Sequence, residues 1–215
     1  MSTVKPIKRG IAQRVDTDIY PNVYVRNSDK MFFDGVNGMR VILELGSSAS
    51  GYFGACVIRA KFFIEDKTTP ANQVLWSHGS AGYRAILLSG LLSVNGTATG
   101  WSPNDQQEYE IVCTFGTGGV IEDVSIDGTS IWSGSEAAGN PGTGTELQVA
   151  TRTNGLPLYG SIWDFSITGS AVKNLDWNGN GKLDYAWEDN LGSEDGTTII
   201  PAGTRSTVGE YYLSK

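Results

Sequence analysis

The stretch that decides the fold of this chain reads Glu108-Tyr-Glu-Ile-Val-Cys-Thr-Phe115, Gly116-Thr-Gly-Gly119, Val120-Ile-Glu-Asp-Val-Ser-Ile126, Asp127-Gly128. In its first segment an apolar set of side chains alternates with a more polar set: Tyr109, Ile111, Cys113 and Phe115 against Glu108, Glu110, Val112 and Thr114. A period of two places these sets on opposite faces of a pleated strand. The Gly- and Asp-rich connections between these segments are typical of tight turns that require positive φ. The stretch therefore predicts antiparallel strands with one buried face.

Similar strand-length apolar runs lie on both sides of this stretch. A second hairpin is predicted over 84–94, around Ser89-Gly90, and further strands over 31–38, 39–45, 56–64, 73–76, 147–151, 159–167, 197–200 and 211–213. No long segment has the 3.6-residue period of an amphipathic helix. We therefore predict an all-β sandwich or barrel. Its expected core includes Tyr109, Ile111, Cys113, Phe115, Val124, Ile126, Trp163 and Phe165.

Length and composition limit the class of protein. The chain has 215 residues, 28 of them glycine, and a formal net charge of −7. Its size suits one large β domain, and the negative charge argues against nucleic acid as the main partner. No apolar run of about 18 residues predicts a membrane span, and no signal peptide is recognisable, so we expect synthesis in a cytoplasm. Cys56 and Cys113 are expected to be buried free thiols.

The first 30 residues differ from the rest of the chain. Lys5, Lys8, Arg9 and Arg14 all precede the first acidic residue, Asp16, and show no periodicity. Two interpretations are open: a loosely ordered tail, or an assembly arm that docks on an acidic partner subunit. We divide the chain into an arm over 1–30 and a sandwich over 31–215, in which 171–215 supply closing strands and loops.

Three short motifs give the chain a resemblance to a known fold family. They are Phe32-Phe-Asp-Gly-Val-Asn37, Val124-Ser-Ile-Asp-Gly128 and Tyr159-Gly-Ser-Ile-Trp-Asp-Phe165. In this order they resemble strands at the opening, middle and end of the concanavalin A-like, laminin-G-like jelly roll. The resemblance covers residues 31–168 and implies an antiparallel two-sheet jelly-roll β-sandwich. Motifs of this kind support a fold far better than an activity.

The end of the chain resembles a narrower group of proteins. Residues 183–200 run Leu-Asp-Tyr-Ala-Trp-Glu-Asp-Asn-Leu-Gly-Ser-Glu-Asp-Gly-Thr-Thr-Ile-Ile. This segment is similar to the closing stretch of such domains in bacteriophage virion proteins. The resemblance implies a structural subunit of a tail fibre, head fibre or capsid decoration. Such a subunit is expected in the virion, as a homo-oligomer among other virion subunits, with a host-surface glycan as a further partner.

A calcium-loop pattern occurs near the end of the chain. Oxygen-bearing side chains stand at loop positions 1, 3, 5 and 9, and glycine at position 6: Asp176, Asn178, Asn180, Asp184 and Gly181. The bidentate acid expected at position 12 is replaced by Trp187. A plain Asn-Gly turn between two strands accounts for the same residues. Calcium is therefore one interpretation of this segment, and a turn is the other.

Five tryptophans are candidates for stacking on the faces of sugar rings, because the sequence places them at strand ends or in loops: Trp76, Trp101, Trp132, Trp177 and Trp187. Large rings also close the open ends of a sandwich, so a packing role is the alternative for each of them. Trp163 lies in mid-strand, in phase with Phe165, and is expected in the core.

No catalytic residue is expected. Jelly-roll glycoside hydrolases carry an E-x-D-x-x-E strand whose carboxylates flank the scissile bond, and this chain has no such strand. The nearest approach is Glu122, Asp123 and Asp127, but Asp127 belongs to a turn and the other two are expected to face opposite ways. The single histidine, His78, is expected in a loop, and no G-x-S-x-G motif is present.

Three functions from different classes remain open from the sequence alone. The first is a phage structural protein that acts by assembly. The second is a free-standing glycan-binding lectin domain. The third is a hydrolase whose site has no recognisable motif.

Overall fold

The computed structural model describes residues 32–35, 40–44, 54–78, 82–136, 146–151, 156–169, 175–177, 186–187 and 196–199. These ranges consist largely of strands, numbered β1 to β15 in chain order: Phe32–Asp34, Arg40–Glu44, Cys56–Ile64, Asn72–His78, Gly82–Leu88, Leu91–Val94, Thr97–Ala98, Gln107–Phe115, Ile121–Ile126, Thr129–Glu136, Glu146–Val149, Tyr159–Thr168, Leu175–Trp177, Ala186–Trp187 and Gly196–Ile199. A single 3-10 turn, Thr117–Gly119, interrupts them. The predicted arm over 1–30 and the predicted strand over 211–213 lie outside the described ranges.

Two antiparallel sheets face each other. The first has the strand order β1-β12-β3-β8-β9-β10, with β13 also paired to β12, and the second has the order β14-β15-β2-β11-β4-β5-β6-β7. The stretch quoted first forms β8 and β9, and β8 lies in continuous register with β3 from Cys56↔Phe115 to Ile64↔Gln107. The prediction of an all-β, two-sheet antiparallel sandwich is confirmed.

The turns follow the predicted residue types. In the hairpin β5–β6, Ser89 and Gly90 have φ angles of 50° and 79°. In the hairpin β9–β10, Asp127 and Gly128 have φ angles of 49° and 76°. Two successive positive φ angles define the turn type whose twist matches that of paired strands.

The core lies between the sheets and contains the predicted alternating residues of β8 and β9. Tyr109, Ile111, Cys113, Phe115, Val124 and Ile126 are all buried in one cluster. Ring contacts join the sheets across it. The Phe115 ring lies 4.9 Å from that of Tyr83, and the Phe165 ring lies 5.7 Å from that of Trp76.

A β-bulge in β12 changes the predicted phase of Trp163. The pairing jumps from Trp163↔Lys61 to Ser166↔Arg59, and Asp164 between them has a φ of 49°. Phe165 therefore points into the core, whereas Trp163 shares the outer face with the exposed Lys61. Trp163 is buried as predicted, with 6% of its surface exposed, but it does not belong to the inter-sheet core.

A second bulge alters the predicted facing of two acids in β9. The pairing with β8 is irregular between Thr114 and Phe115, opposite Glu122. As a result Glu122 is exposed and Asp123 half-buried, and both lie between the buried Ile121 and Val124. The expectation that these two carboxylates face opposite ways is wrong, because the extra residue of a bulge breaks the period of two.

Both cysteines are free and buried on the inner face. They lie on the adjacent strands β3 and β8, but Cys56 pairs with Phe115 and Cys113 pairs with Ile58. They are therefore diagonal neighbours, and such pairs are about 7–8 Å apart. This separation exceeds the usual Cα–Cα distance of a disulfide, about 4.4–6.8 Å.

No helix within the described ranges is long and apolar enough to cross a membrane.

Candidate functional site

The most completely described set of loops lies at one end of the sandwich. Since Ile64 pairs with Gln107, the loop that follows β3 and the loop that precedes β8 emerge at the same end. The tip of the β5–β6 hairpin reaches the first of these loops, because Ser89 N–H donates to the Ala71 carbonyl at 2.7 Å. We call residues 65–71, 88–91 and 99–107 the loop platform.

Hydrogen bonds tie the two long loops of the platform together. Lys67 donates its backbone N–H to Asp105 Oδ1 at 2.8 Å and its Nζ to the Pro103 carbonyl at 2.9 Å. Gln106 donates its Nε2 to Glu65 Oε1 at 3.0 Å. Loops that are cross-linked in this way keep one arrangement before any ligand arrives, so little conformational entropy remains to be lost on binding.

Trp101 lies near the start of the loop over 99–107. Its ring packs edge-on against Tyr109, with centroids 5.0 Å apart, and against Phe62 at 6.3 Å. Its carbonyl accepts from Leu92 N–H at 2.8 Å, which holds the loop against β6. The side chain is half-buried and packs on the core, so its remaining surface is presented in a fixed orientation.

Polar planar side chains follow Trp101 along the loop. Asn104, Asp105, Gln106 and Gln107 are all exposed. The backbone N–H of Asn104 donates to Tyr109 Oη at 2.9 Å, and its side-chain Nδ2 donates to Gln107 Oε1 at 3.2 Å. An amide or carboxylate can bind two neighbouring hydroxyl groups at once. The loop thus combines a fixed aromatic surface with several such groups.

The loop over 65–71 has its own fixed carboxylate. Asp66 Oδ1 accepts from both the backbone N–H and the Oγ1 of Thr68, at 2.8 and 2.7 Å. These bonds to Thr68 hold the pKa of Asp66 below its usual value. The carboxylate therefore stays charged in mildly acidic solution.

Gln73, at the foot of the platform, is fully buried. Its Nε2 donates to the Asp66 carbonyl at 2.6 Å, and its Oε1 accepts from Tyr159 N–H at 2.9 Å. Gln73 belongs to β4 of the second sheet, while Tyr159 opens β12 of the first. The platform is therefore anchored to both sheets.

Trp76 is not a glycan-binding residue, contrary to the prediction. The strand predicted over 73–76 continues to His78, so Trp76 lies inside β4 and has no exposed surface. Its ring packs against Phe165 from the opposite sheet, and its Nε1 has no hydrogen-bond partner in the described part of the chain. His78, predicted in a loop, is the buried last residue of the same strand.

The other predicted aromatic residues have different surroundings. Trp132, on the edge strand β10, is half-buried against the core, and an ideal Cβ on Gly134 would lie 2.9 Å from its Cζ2. Its ring therefore covers the backbone of Gly134. Trp177 and Trp187 belong to β13 and β14, where only the backbone is described, so their glycan-binding role stays a prediction.

Of the four predicted calcium ligands, only the first lies within the described residues. Asp176 lies within β13, opposite Ser166 of β12, rather than in a loop. Asn178, Asn180 and Asp184 lie outside the described residues, as do Lys5, Lys8, Arg9 and Arg14 of the predicted arm. Among the residues whose placement is described, no three acid, His or Cys side chains cluster as a metal site.

The sequence prediction included one platform residue, Trp101, and missed the rest. Polar loop residues have no periodicity, and the two loops are 28 residues apart along the chain. One sequence feature could have indicated the platform: four side chains rich in amide groups, Asn104-Asp-Gln-Gln107, directly before a predicted strand.

Comparison with known proteins identifies only a fold. No protein-family profile matches the sequence, and a search of curated protein sequences returned no match. Among solved structures, a candidate carbohydrate-binding protein from Bacteroides ovatus aligns at a TM-score of 0.54 and 12% identity, over 80% of this chain and 59% of that one. The fold is a two-sheet jelly roll.

Two further similarities are weaker. Domain 4 of an extracellular arabinanase from Geobacillus stearothermophilus, solved with arabinotriose, aligns at a TM-score of 0.45 and 16% identity, over 66% of this chain and 71% of that one. The LG4-5 domains of the mouse laminin α1 chain align at a TM-score of 0.44 and 15% identity, over 83% of this chain and 48% of that one. The chain thus spans 59% of the length of the first structure and 48% of the laminin structure.

Proposed function

We propose that this chain is a non-catalytic carbohydrate-binding jelly-roll domain, and that the loop platform is its binding surface. The observation that carries the proposal is the rigid loop over 99–107. It presents a half-exposed Trp101 next to the exposed side chains of Asn104, Asp105 and Gln107.

The chemistry of this loop suits a saccharide. A sugar ring has an apolar C–H face and a rim of hydroxyl groups, so it needs an aromatic surface and planar hydrogen-bonding groups side by side. A weakly binding ligand such as a saccharide gains affinity when the protein surface is already ordered, because less conformational entropy is lost on binding. The description of the Bacteroides ovatus protein as a candidate carbohydrate-binding protein agrees with this proposal.

We propose no catalysis because the platform carboxylates do not suit the reaction. A glycosidase needs one carboxylic acid with a raised pKa, which donates a proton to the leaving oxygen. Asp66 has a lowered pKa, owing to its hydrogen bonds from Thr68. Asp105 Oδ1 already accepts from the Lys67 backbone N–H, and Glu65 Oε1 already accepts from Gln106 Nε2.

A glycan array followed by titration of the best ligand tests the proposal. Asn104→Ala and Gln107→Ala should each weaken binding by about three- to tenfold, the loss expected for one or two hydrogen bonds. Thr117→Ala is the matched control, because Thr117 is exposed at the opposite end of β8. Retained affinity in both platform variants would contradict the proposal.

We further propose that the domain serves a bacteriophage particle as a structural and attachment subunit, and that its site of action is the virion. The similarity of residues 183–200 to phage virion domains supports this. So does the charge distribution. Four bases and no acid precede Asp16, whereas residues 85–151 contain no Lys, Arg or His and eight acids: Asp105, Glu108, Glu110, Glu122, Asp123, Asp127, Glu136 and Glu146. A basic arm and an acidic surface on every copy can join neighbouring subunits.

Particle composition tests this second proposal. Mass spectrometry of purified particles should find the chain at a fixed copy number. Deletion of 1–30 should abolish incorporation while the sandwich stays folded, since the described core cluster is formed by residues between Phe33 and Ile167. Normal incorporation of the truncated chain would contradict the assembly role, and would leave the glycan-binding proposal standing.

A further inference from the structure

The charges of the loop platform limit which saccharides it can accept. Its carboxylates are Glu65, Asp66 and Asp105, and its one base is Lys67. The Lys67 ammonium is already bonded to the Pro103 carbonyl, and its stem lies under the hairpin tip, where an ideal Cβ on Gly90 would be 3.3 Å from its Cγ. The only cation of the platform thus has one of its three N–H groups committed to holding the loops together, and three carboxylates outnumber it.

The strand that leaves the platform, β8, adds no base. Glu108 is exposed directly after Gln107, and Glu110 is half-buried two residues further along β8. The nearest bases on the neighbouring strand β3 are also committed. Arg59 pairs with Glu110 at 3.7 Å, and Lys61 pairs with Asp164 at 2.9 Å.

Recognition of an anionic sugar requires a cation or a cluster of N–H donors directed at the acid group. The exposed side chains of the loop over 99–107 instead offer amides and carboxylates. Amides and carboxylates bind hydroxyl groups well, and carboxylates repel a uronate, sialate, sulfate or phosphate group.

From this we infer that the loop platform selects glycans without anionic groups and disfavours those that carry a carboxylate, sulfate or phosphate. The inference rests on the proposed glycan-binding function and adds the chemical class of the ligand. The class includes neutral hexose and pentose chains and amine-bearing sugars, because both avoid the repulsion by Glu65, Asp66 and Asp105.

The experiment uses the full chain and matched pairs of oligosaccharides that differ only in the acid group, such as sialylated and desialylated glycans, or uronate and hexose oligomers of equal length. In low salt the neutral member of each pair should bind about three- to tenfold more tightly, as expected for one or two exposed like-charge contacts. The preference should shrink at 0.5 M NaCl, because the screening length then falls to about 4 Å.

A charge variant makes the inference falsifiable without disturbing the fold. Asn104→Lys keeps the backbone bond to Tyr109 Oη and adds a cation to the platform. It should shift the ratio of the two affinities toward the anionic member about two- to fivefold, because the loss of the Asn104 amide weakens both members alike. Thr117→Lys introduces the same lysine at the opposite end of β8 and should leave both affinities unchanged.

The outcomes separate the inference from the proposed function. Equal or tighter binding of the anionic member by the unmodified chain would overturn the inference alone. An unchanged preference in Asn104→Lys would also overturn it, because the platform charge would then not set the selectivity. If neither member of any pair binds, the glycan-binding function is overturned, and the inference with it.

Discussion

Gln73 and Tyr159 join the two sheets of the sandwich through a 2.9 Å hydrogen bond from the Tyr159 backbone N–H to the Gln73 Oε1 atom. Gln73 has no exposed surface, and its Nε2 also bonds to the carbonyl of Asp66 in the loop platform. One buried amide therefore couples the core to the candidate site.

Replacement of Gln73 by Leu should destabilise the fold by about 1–3 kcal/mol, because two backbone groups lose their buried partner. Urea unfolding followed by tryptophan fluorescence measures this. Gln107→Ala, which alters an exposed glutamine, should cost less than about 0.5 kcal/mol. Equal stability of the two variants would show that the sheets do not depend on this bond.

Phe115→Ala should cost about 3–5 kcal/mol, since the ring is 2% exposed and packs on Tyr83 of the opposite sheet. Trp163→Ala is expected to fall in the same range, because its ring is buried on the outer face. Leu91→Ala, at a side chain that is 48% exposed, is the control and should have little effect. A loss below about 1 kcal/mol for Phe115 would show that the strand phase is wrong.

These two aromatic residues show how far the sequence could predict the fold. The alternation in β8 identified the face that buries Phe115, because a regular strand keeps a period of two. The same reasoning placed Trp163 in phase with Phe165 and was wrong there, since the bulge at Asp164 adds a residue to the strand. Nothing local in Trp163-Asp-Phe165 signals that bulge.

The site was harder to predict than the fold. Trp76 looked like the end of a short strand, but pairing with β5 and β11 extends that strand and buries the ring. The platform forms only because the register of β3 with β8 brings together Lys67 and Asp105, which are 38 residues apart. Contacts between segments so distant in sequence leave no periodic pattern to read.

Stability should fall in alkaline solution. Burial raises the pKa of Cys56 from 9.0 to about 11 and that of Tyr83 from 10.0 to about 12, and it also raises the pKa of Cys113. Above pH 9 the unfolded chain loses protons that the folded chain retains, so the free energy of unfolding decreases as pH rises. This stability is complete below pH 9 and is lost progressively as pH rises through about 11 for Cys56 and about 12 for Tyr83.

Urea midpoints at pH 7, 9 and 10 measure this pH dependence. The double variant Cys56→Ala/Cys113→Ala should show a shallower decline, because only the Tyr83 phenol still contributes among the three groups. An identical decline in both proteins would show that the thiols are not the cause.

Calcium removal should leave the melting temperature unchanged, because an Asn-Gly turn accounts for the residues after Asp176 and the acid expected at position 12 is Trp187. Calorimetry with excess chelator and with millimolar calcium measures this. A higher melting temperature in calcium would instead establish the site at Asp176, Asn178, Asn180 and Asp184, since a ligand bound only by the folded chain stabilises it. Asp184→Asn should then abolish the increase.

The central claim is that the loop platform binds a glycan and leaves it intact. The most direct test is a nuclear magnetic resonance titration of isotope-labelled protein with the best neutral oligosaccharide from the array. The same sample, followed for a day, reports any cleavage of the sugar. We predict saturable amide shifts confined to 65–71, 88–91 and 99–107, with unchanged sugar signals. Shifts centred elsewhere on the sandwich, or the appearance of cleaved sugar, would contradict the claim.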